Sequence, residues 1–276
     1  MKRFLSVIAV VLAMALFISY NIHKDFQAIA TQGENLITIR VGASPTPHAK
    51  ILEFIKPLMK EKGFNLEIIE YTDYEFPNIE LEDGSLDANY FQTIPFLKDY
   101  NKKNGTNIVP VAAIHFEPLG IYPGNSKDLN NIKNGAKIGI PNDPSNRARA
   151  LMLLQAQKII RLREGATLDA TQQDIIENPN SIQIIEIVAE AIPAYLLDLD
   201  YAVINGNYAL DAGLTKYVLV SEAADSEAAK TYANVLAARE SNQFSGGILA
   251  LAEVLTSKEV SDYIKENFSP AAIPIN

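Results

Sequence analysis

The sequence predicts an α/β protein folded as two lobes, and three observations lead there. At 276 residues the chain is near the size at which a single core stops growing and divides. From residue 36 onward, segments with the two-residue period of strands alternate with segments of helical period. A second strand-helix series begins after Pro118, once the first has closed. The composition, 48% apolar and 21% charged, is that of a globular chain rather than a disordered or collagen-like one.

The chain opens on Lys2-Arg3, followed by an uncharged run from Phe4 to Tyr20. A short basic start before an apolar stretch is the form of a secretory signal. The run also reaches the lower edge of a bilayer span, which leaves an uncleaved anchor open. Ala28-Ile29-Ala30 offers a small-x-small cleavage position, and Ala13-Met14-Ala15, inside the run, suits cleavage less well. A buried core helix would share the run's apolar character, but the basic start and the largely polar Asn21–Gln27 flank fit export better. Residues 1–30 are therefore expected to be a signal peptide or an N-terminal membrane anchor, with folding from Thr31.

Leu36–Ala43 alternates apolar and polar residues, as a strand does, and His48–Lys62 carries Ile51, Leu52, Ile55, Leu58 and Met59 on one helical face. Asn65–Tyr71 is the next strand, and strand-helix-strand at this spacing is a parallel βαβ unit. A short helix over Asn78–Asp83 ends at Gly84, Asp87–Tyr90 is a short strand, Ile94–Asn104 a helix closed by Gly105, and Ile108–Phe116 a strand. In the second series, Ala136–Ile140 is a strand and Ser145–Arg161 a helix. Ile182–Ile187 is a strand, Ala191–Leu197 a helix, and Tyr201–Ile204 a strand running into Asn205-Gly206-Asn207. Thr231–Ala238 reads as a further strand. Helices over Gly247–Leu255 and Ser257–Asn267 end the chain, with Thr256 and Glu259 at capping-box spacing.

The inventory of reactive groups is thin. A formal charge of −9, from 33 acids against 24 bases, disfavours nucleic acid as a partner. The absence of cysteine removes thiol catalysis, disulfides, thiolate metal sites and a lipid-bearing cysteine. No G-x-S-x-G, S-x-x-K, P-loop, G-x-G-x-x-G or H-E-x-x-H pattern occurs. Paired carboxylates occur in any acidic chain, and nothing singles out one pair. An enzyme is not expected, and no cofactor is implied. His48, His115 and Glu117 offer three metal-ligand types. His115 and Glu117, two apart on a strand, share a face by alternation alone, so no metal is expected and His48 reads as a helix-start residue.

The informative segment is Gly139-Ile140-Pro141-Asn142-Asp143-Pro144-Ser145-Asn146-Arg147-Ala148-Arg149. A strand ends at Ile140 and a helix starts with Asp143 as its cap and Pro144 in its first turn. Such a loop brings backbone N–H groups and the positive end of a helix dipole to the carboxyl end of a parallel strand, where open α/β folds bind ligands. Asn146 and Arg149, three apart, share one face while Arg147 points elsewhere. A guanidinium there suits a small carboxylate held bidentately; a surface helix with solvated arginines has the same spacing. Asn205-Gly206-Asn207-Tyr208 supplies amides that accept from an ammonium and donate to a carboxylate, or makes a plain turn. Asp87-Ala88-Asn89-Tyr90-Phe91-Gln92 sets two aromatics beside amides, which also suits core aromatics at a strand end.

At these residues the sequence resembles the methionine-binding lipoproteins, the substrate-binding components of bacterial methionine ABC importers. The matching stretches are 41–53 (VGASPTPHAKILE), 73–97 (DYEFPNIELEDGSLDANYFQTIPFL), 115–123 (HFEPLGIYP), 135–154 (GAKIGIPNDPSNRARALMLL), 200–214 (DYAVINGNYALDAGL) and 261–275 (SDYIKENFSPAAIPI). The resemblance implies a type II periplasmic-binding-protein fold: two α/β lobes joined by two crossover strands, with the ligand in the cleft between them. Lobe one would comprise 31–117 plus 221–276 and lobe two 118–220. It implies that Arg149 grips an amino acid carboxylate, that Asn146, Asn205 and Asn234 hold the polar ends, and that Tyr74, Tyr90, Phe91 and His115 wall a thioether pocket.

The partners it implies are methionine, a membrane permease and, through it, a cytoplasmic ATPase, on the outer face of the cytoplasmic membrane or in the periplasm. D-methionine, a methionine-containing dipeptide or another small amino acid is the alternative ligand; a metal carrier or exported enzyme is the alternative class. The sequence departs from the family pattern in lacking the lipid-attachment cysteine, in having Gln92-Thr93 for the usual Gln-His, and in having Ala148 for the glycine before the clamp arginine.

Overall fold

The computed structural model describes residues 36–223 and 231–275, and the leader expected over 1–30 lies outside them. Among the described residues no helix is long and apolar enough to cross a membrane.

β1 (Ile37–Ala43) turns Ile39, Val41 and Ala43 inward, as the pleat of a strand dictates. After a helical lead-in at Pro45–Ala49, α1 (Lys50–Glu61) buries Ile51, Leu52, Ile55 and Met59 against it, and β2 (Phe64–Glu70) pairs with β1 in parallel. This is the expected βαβ unit. α2 (Phe76–Asp83) stops at Gly84, whose φ of 87° is left-handed and suits glycine. β3 (Ala88–Thr93), buried along its whole length, takes the other side of β1. α3 (Ile94–Asn104) and β4 (Ile108–Phe116) complete this half.

The chain then passes into a second sheet through β5 (Gly120–Pro123) and β6 (Lys137–Pro141). α4 (Pro144–Ala156) leads to a small hairpin, β7 (Arg161–Leu162) with β8 (Ile175–Glu177), and then to β9 (Gln183–Ile187). A 3₁₀ run, Ala189–Asp198, precedes β10 (Tyr201–Ile204), α5 (Gly206–Asp211) and β11 (Val220–Ser221). The second sheet has the order β11-β5-β10-β6-β9, with β6 parallel to both β9 and β10. Its core joins Ile138, Ile140, Tyr201 and Val203 to Ala148, Leu151 and Leu154 of α4.

The chain returns to the first sheet as β12 (Ala233–Arg239), antiparallel to both β3 and β4. α6 (Gly246–Leu255) and α7 (Lys258–Phe268) pack Leu251, Val254 and Ile264 into the core under α1, and β13 (Ile273–Pro274) adds an edge. The order is β13-β4-β12-β3-β1-β2. The fold is thus two lobed and α/β, as expected.

Three local expectations give way. The helix read as Ser145–Arg161 ends at Ala156, because Lys158 takes a φ of 59° and Arg161 leaves to pair with β8. The helix read at Ala191–Leu197 is 3₁₀, with Pro193 inside it unable to donate a helical hydrogen bond. The last helix is capped by Ser257, whose side chain accepts from the Val260 N–H at 3.4 Å. Thr256 instead donates its hydroxyl to the Ala252 carbonyl at 2.9 Å.

Candidate functional site

The residues that follow β3, β6 and β10 meet around one cavity, part of it open to solvent. Its floor is the start of α4. The Asp143 carboxylate accepts from the Asn146 backbone N–H at 2.9 Å and so caps the helix. Asn146 and Arg149, each 4% exposed, line the cavity, whereas Arg147 turns away to Glu186 at 3.4 Å.

Arg149 is held more tightly than the spacing suggests. Its Nε donates to Glu222 at 2.8 Å and 3.1 Å, and its Nη2 donates to Glu222 at 2.5 Å and to the Glu117 carbonyl at 2.7 Å. The guanidinium stacks over Tyr232 at 4.4 Å and lies 5.4 Å from the Phe116 ring. The bidentate partner is therefore a carboxylate of the protein itself, a correction to the expectation that the fork is given wholly to a ligand. Nothing in the sequence singles out Glu222, since it stands 73 residues from Arg149 and in no motif. It also accepts from the Leu119 N–H at 2.9 Å, which ties it to the segment entering β5.

A chain of amides runs along one side. Asn146 Nδ2 donates to Asp143 at 3.1 Å, and Asn205 Nδ2 donates to Asn146 Oδ1 at 2.9 Å. Asn205 Oδ1 and Asn207 Nδ2 are buried without a partner, and both residues line the cavity. Buried polar atoms are nearly always bonded, so two open ones at a cavity wall call for an explanation.

The opposite side is aromatic. Tyr74, Phe91 and Phe96 line it, with ring centroids 5.8 Å (Tyr74–Phe91) and 5.6 Å (Tyr74–Phe96) apart. Tyr74 donates its hydroxyl to Asn207 Oδ1 at 2.6 Å, and Tyr208 donates to the Thr72 carbonyl at 3.0 Å, so the two halves are bonded across the cavity. Phe91 is an extra residue in the β3–β12 ladder: Tyr90 pairs with Leu236 and Gln92 with Val235. Such a bulge re-aims a side chain.

Tyr90 and His115 do not reach the cavity. Both are fully buried behind it, with the Tyr90 hydroxyl 2.5 Å from His115 Nδ1. The reason is the pleat, which sends Tyr90 to the face opposite Phe91. His115 Nε2 lies 2.7 Å from Glu117 Oε1, and His48 Nε2 lies 3.1 Å from Asn234 Oδ1 and 3.4 Å from Glu117 Oε1. His48 is thus a fully buried member of this cluster, more than a helix-start residue. The metal-ligating atoms of His48, His115 and Glu117 fall within 4.8 Å of one another, at hydrogen-bonding separations.

Burial lowers His48 to about 4, against the pull of Glu117, and lowers His115 to about 3, so both rings are neutral near pH 7. Burial raises the Glu117 carboxyl above its ordinary range, opposed by His48, by the Asn207 N–H and by Arg149. Glu117 lines the cavity together with Gln92, Thr93, Gly206 and Asn234.

Of the expected site residues, the structure brings Arg149, Asn146, Asn205, Asn234, Tyr74 and Phe91 to this cavity. Phe96 and Glu117 join them, although the sequence does not mark them as ligand-binding residues, and so does Asn207 of the amide turn Asn205–Tyr208.

The model of the NlpA lipoprotein family matches residues 39–276. The methionine-binding lipoprotein MetQ of Bacillus subtilis is 37% identical over 244 residues, covering 86% of this chain and 88% of that protein. Outer membrane lipoprotein 3 of Mannheimia haemolytica is 39% identical over 85% of this chain and 89% of its own. The solved structure of a nutrient-binding protein from Burkholderia cenocepacia bound to methionine superposes with a TM-score of 0.82. It is 38% identical and covers 86% of this chain and all (100%) of that one. With its two lobes, its α/β sheets and a match over almost the whole described chain, this protein belongs to the NlpA lipoprotein family.

Proposed function

We propose that this protein is the extracytoplasmic binding component of an ABC importer, and that it holds methionine, with L-methionine first among its forms, in the cavity between its two sheets. The observation that carries the reading is complementarity. One cavity presents a buried guanidinium, two buried amide atoms without partners and a wall of three aromatic rings. A zwitterion with an apolar side chain satisfies all three. The relatives named for methionine, and the one solved with it, support the same ligand.

Capture would work by closure of lobe two (118–220) on lobe one (31–117 with 221–276). Tyr74–Asn207 and Tyr208–Thr72 bonds already span the halves, and a ligand touching both favours the closed form by its differential affinity. Release would follow to a permease and, through it, a cytoplasmic ATPase. Of the departures from the family pattern, Thr93 lines the cavity, while Ala148 packs into the core of the second sheet. Ligand choice therefore rests on Thr93 more than on Ala148.

Calorimetry with L-methionine, D-methionine and glycyl-methionine tests the reading. A saturable heat with one of the three, and none with unrelated amino acids, supports it; no heat with any of them rejects it.

A further inference from the structure

One end of the first sheet is apolar and open to solvent. β1 and β2 run in parallel with Ile37 opposite Phe64, and Ile37 shares the face of Ile39, two residues on. The start of α6 lies over that face: a Cβ at Gly247 would sit 2.8 Å from Ile39 Cδ1 and 3.3 Å from Phe64 Cε1. Ser245 caps the helix, which puts Phe244 and Leu249 at the two positions that staple a helix start. The staple explains why they are neighbours. It does not explain their exposure, 77% for Phe244 and 48% for Leu249, beside 65% for Ile37. Apolar residues scattered singly on a surface are ordinary, whereas several gathered at one place mark a surface that meets a protein or a membrane.

The course of the chain favours the membrane. It enters the described fold at Leu36, next to Ile37. On the anchor reading of residues 1–30, the uncharged run Phe4–Tyr20 is held in lipid, and fifteen residues, 21–35, link it to this end of the sheet. Such a link reaches at most about 50 Å. The family is one of lipoproteins, yet this chain has no cysteine to carry a lipid. Its apolar run is at the lower edge of a bilayer span, so a second apolar contact would add to the hold.

We infer that Ile37, Phe244 and Leu249 dock on the outer surface of the lipid bilayer, as a second membrane contact beside the leader. The seven residues of β1 put this end about 20 Å from the other, where the parallel β3 delivers Phe91 to the cavity. The docked protein therefore holds its cavity away from the lipid, in a pose for capture, and delivery to a membrane partner requires lifting off. The inference rests on the anchor reading of the leader and on no particular ligand.

The sequence contains no tryptophan, so Phe244→Trp places a lone emitter in the full chain, leader included, and keeps an apolar residue in the staple. The probe is phosphatidylcholine vesicles whose acyl chains carry bromine near the headgroups, the depth an interfacial apolar face reaches. Phe244→Trp is expected to shift to the blue and to lose most of its emission there. The loss should persist at high salt, because apolar contact is not screened. Leu197→Trp, at a position 83% exposed beside the second sheet, is expected to keep its emission. Adding Ile37→Ser to Phe244→Trp is expected to restore the emission, with little change in melting temperature. Absence of quenching at position 244, equal quenching at both positions, or quenching that survives Ile37→Ser or vanishes with salt would each overturn the inference. So would a blue shift already complete without vesicles, which would mean that the leader or a second copy covers this end. Calorimetry with methionine is read separately, so the ligand reading can fail while this inference stands.

Discussion

The two walls of the cavity are built in opposite ways. The wall from the second sheet is local: Asp143, Asn146 and Arg149 lie within two turns of one helix start, and Asn205 follows the adjacent strand. The wall from the first sheet is assembled from distant segments. Tyr74 precedes α2, Phe91 lies on β3, Phe96 on α3, Glu117 just past β4 and Asn234 on β12, with His48, Tyr90 and His115 buried behind them. The local wall carries charge and hydrogen-bond direction. The assembled wall carries shape, with one acid held by neutral rings. Helix geometry makes the first kind predictable from spacing, whereas strand pairing and bulges decide the second.

The contrast can be broken most severely at Arg149. Arg149→Ala is expected to abolish measurable methionine heat. It should also lower stability by about 3–5 kcal/mol in urea unfolding, because it leaves Glu222 buried without its cation. Near wild-type values on both counts would show that the local wall does not carry the charge.

The assembled wall is tested next by pH. The unfolded chain takes up histidine protons near pH 6.5. In the folded protein His48 resists until about 4 and His115 until about 3. Stability supplied by the neutral rings is therefore complete above 6.5 and is lost as pH falls toward 4 and then 3. Glu117 acts in the other direction, since its raised carboxyl relieves a burial penalty once protonated. Unfolding free energies should fall by several kcal/mol across that window, because each ring that stays unprotonated while its unfolded counterpart is charged loses about 1.4 kcal/mol per pH step. His115→Gln should flatten the fall. A profile flat from pH 7 to 4 in the unmodified protein would contradict the neutral cluster.

A smaller effect is expected at the bulge. Phe91→Ala removes one face of the aromatic side, and methionine should bind roughly tenfold or more weakly while alanine, if bound at all, is little changed. Equal losses for both ligands would mean that Phe91 holds the fold and not the side chain of the ligand. The smallest effect belongs to Arg147→Ala. Its partly exposed pair with Glu186 is worth at most about 0.5–1 kcal/mol, and calorimetry should show unaltered binding, in contrast to the residue two positions on.

Legibility in the sequence follows the same division. The βαβ start, the N-cap at Asp143 and the inward pair Asn146–Arg149 are readable because each depends on neighbours within a few residues. The short strands β5, β7, β11 and β13 offer no pattern to read and take shape beside a partner strand, whereas β10, as short as β5, shows in its unbroken run Tyr201–Ile204. Tyr90 and Phe91 look equivalent as adjacent aromatics until the β3–β12 ladder shows where the pleat and the bulge send each. Glu222 carries no local signal; its importance arises from a guanidinium 73 positions away. Glu117 stands in view beside His115, yet alternation along a strand explains such a pair without any role, and only its depth and its two histidines distinguish it.

If the cavity takes a ligand as proposed, the Arg149–Glu222 pair bears on unloading as well as capture. A cleft whose cation were balanced only by cargo would be left with a bare guanidinium at each delivery, and emptying it would be opposed by that stranded charge. Here the counter-ion is built in, bonded also to the Leu119 N–H on the segment that leads out of β4. The balance of Arg149 does not depend on cargo, so on the proposed reading giving up a ligand would cost that ligand's own contacts without stranding the guanidinium.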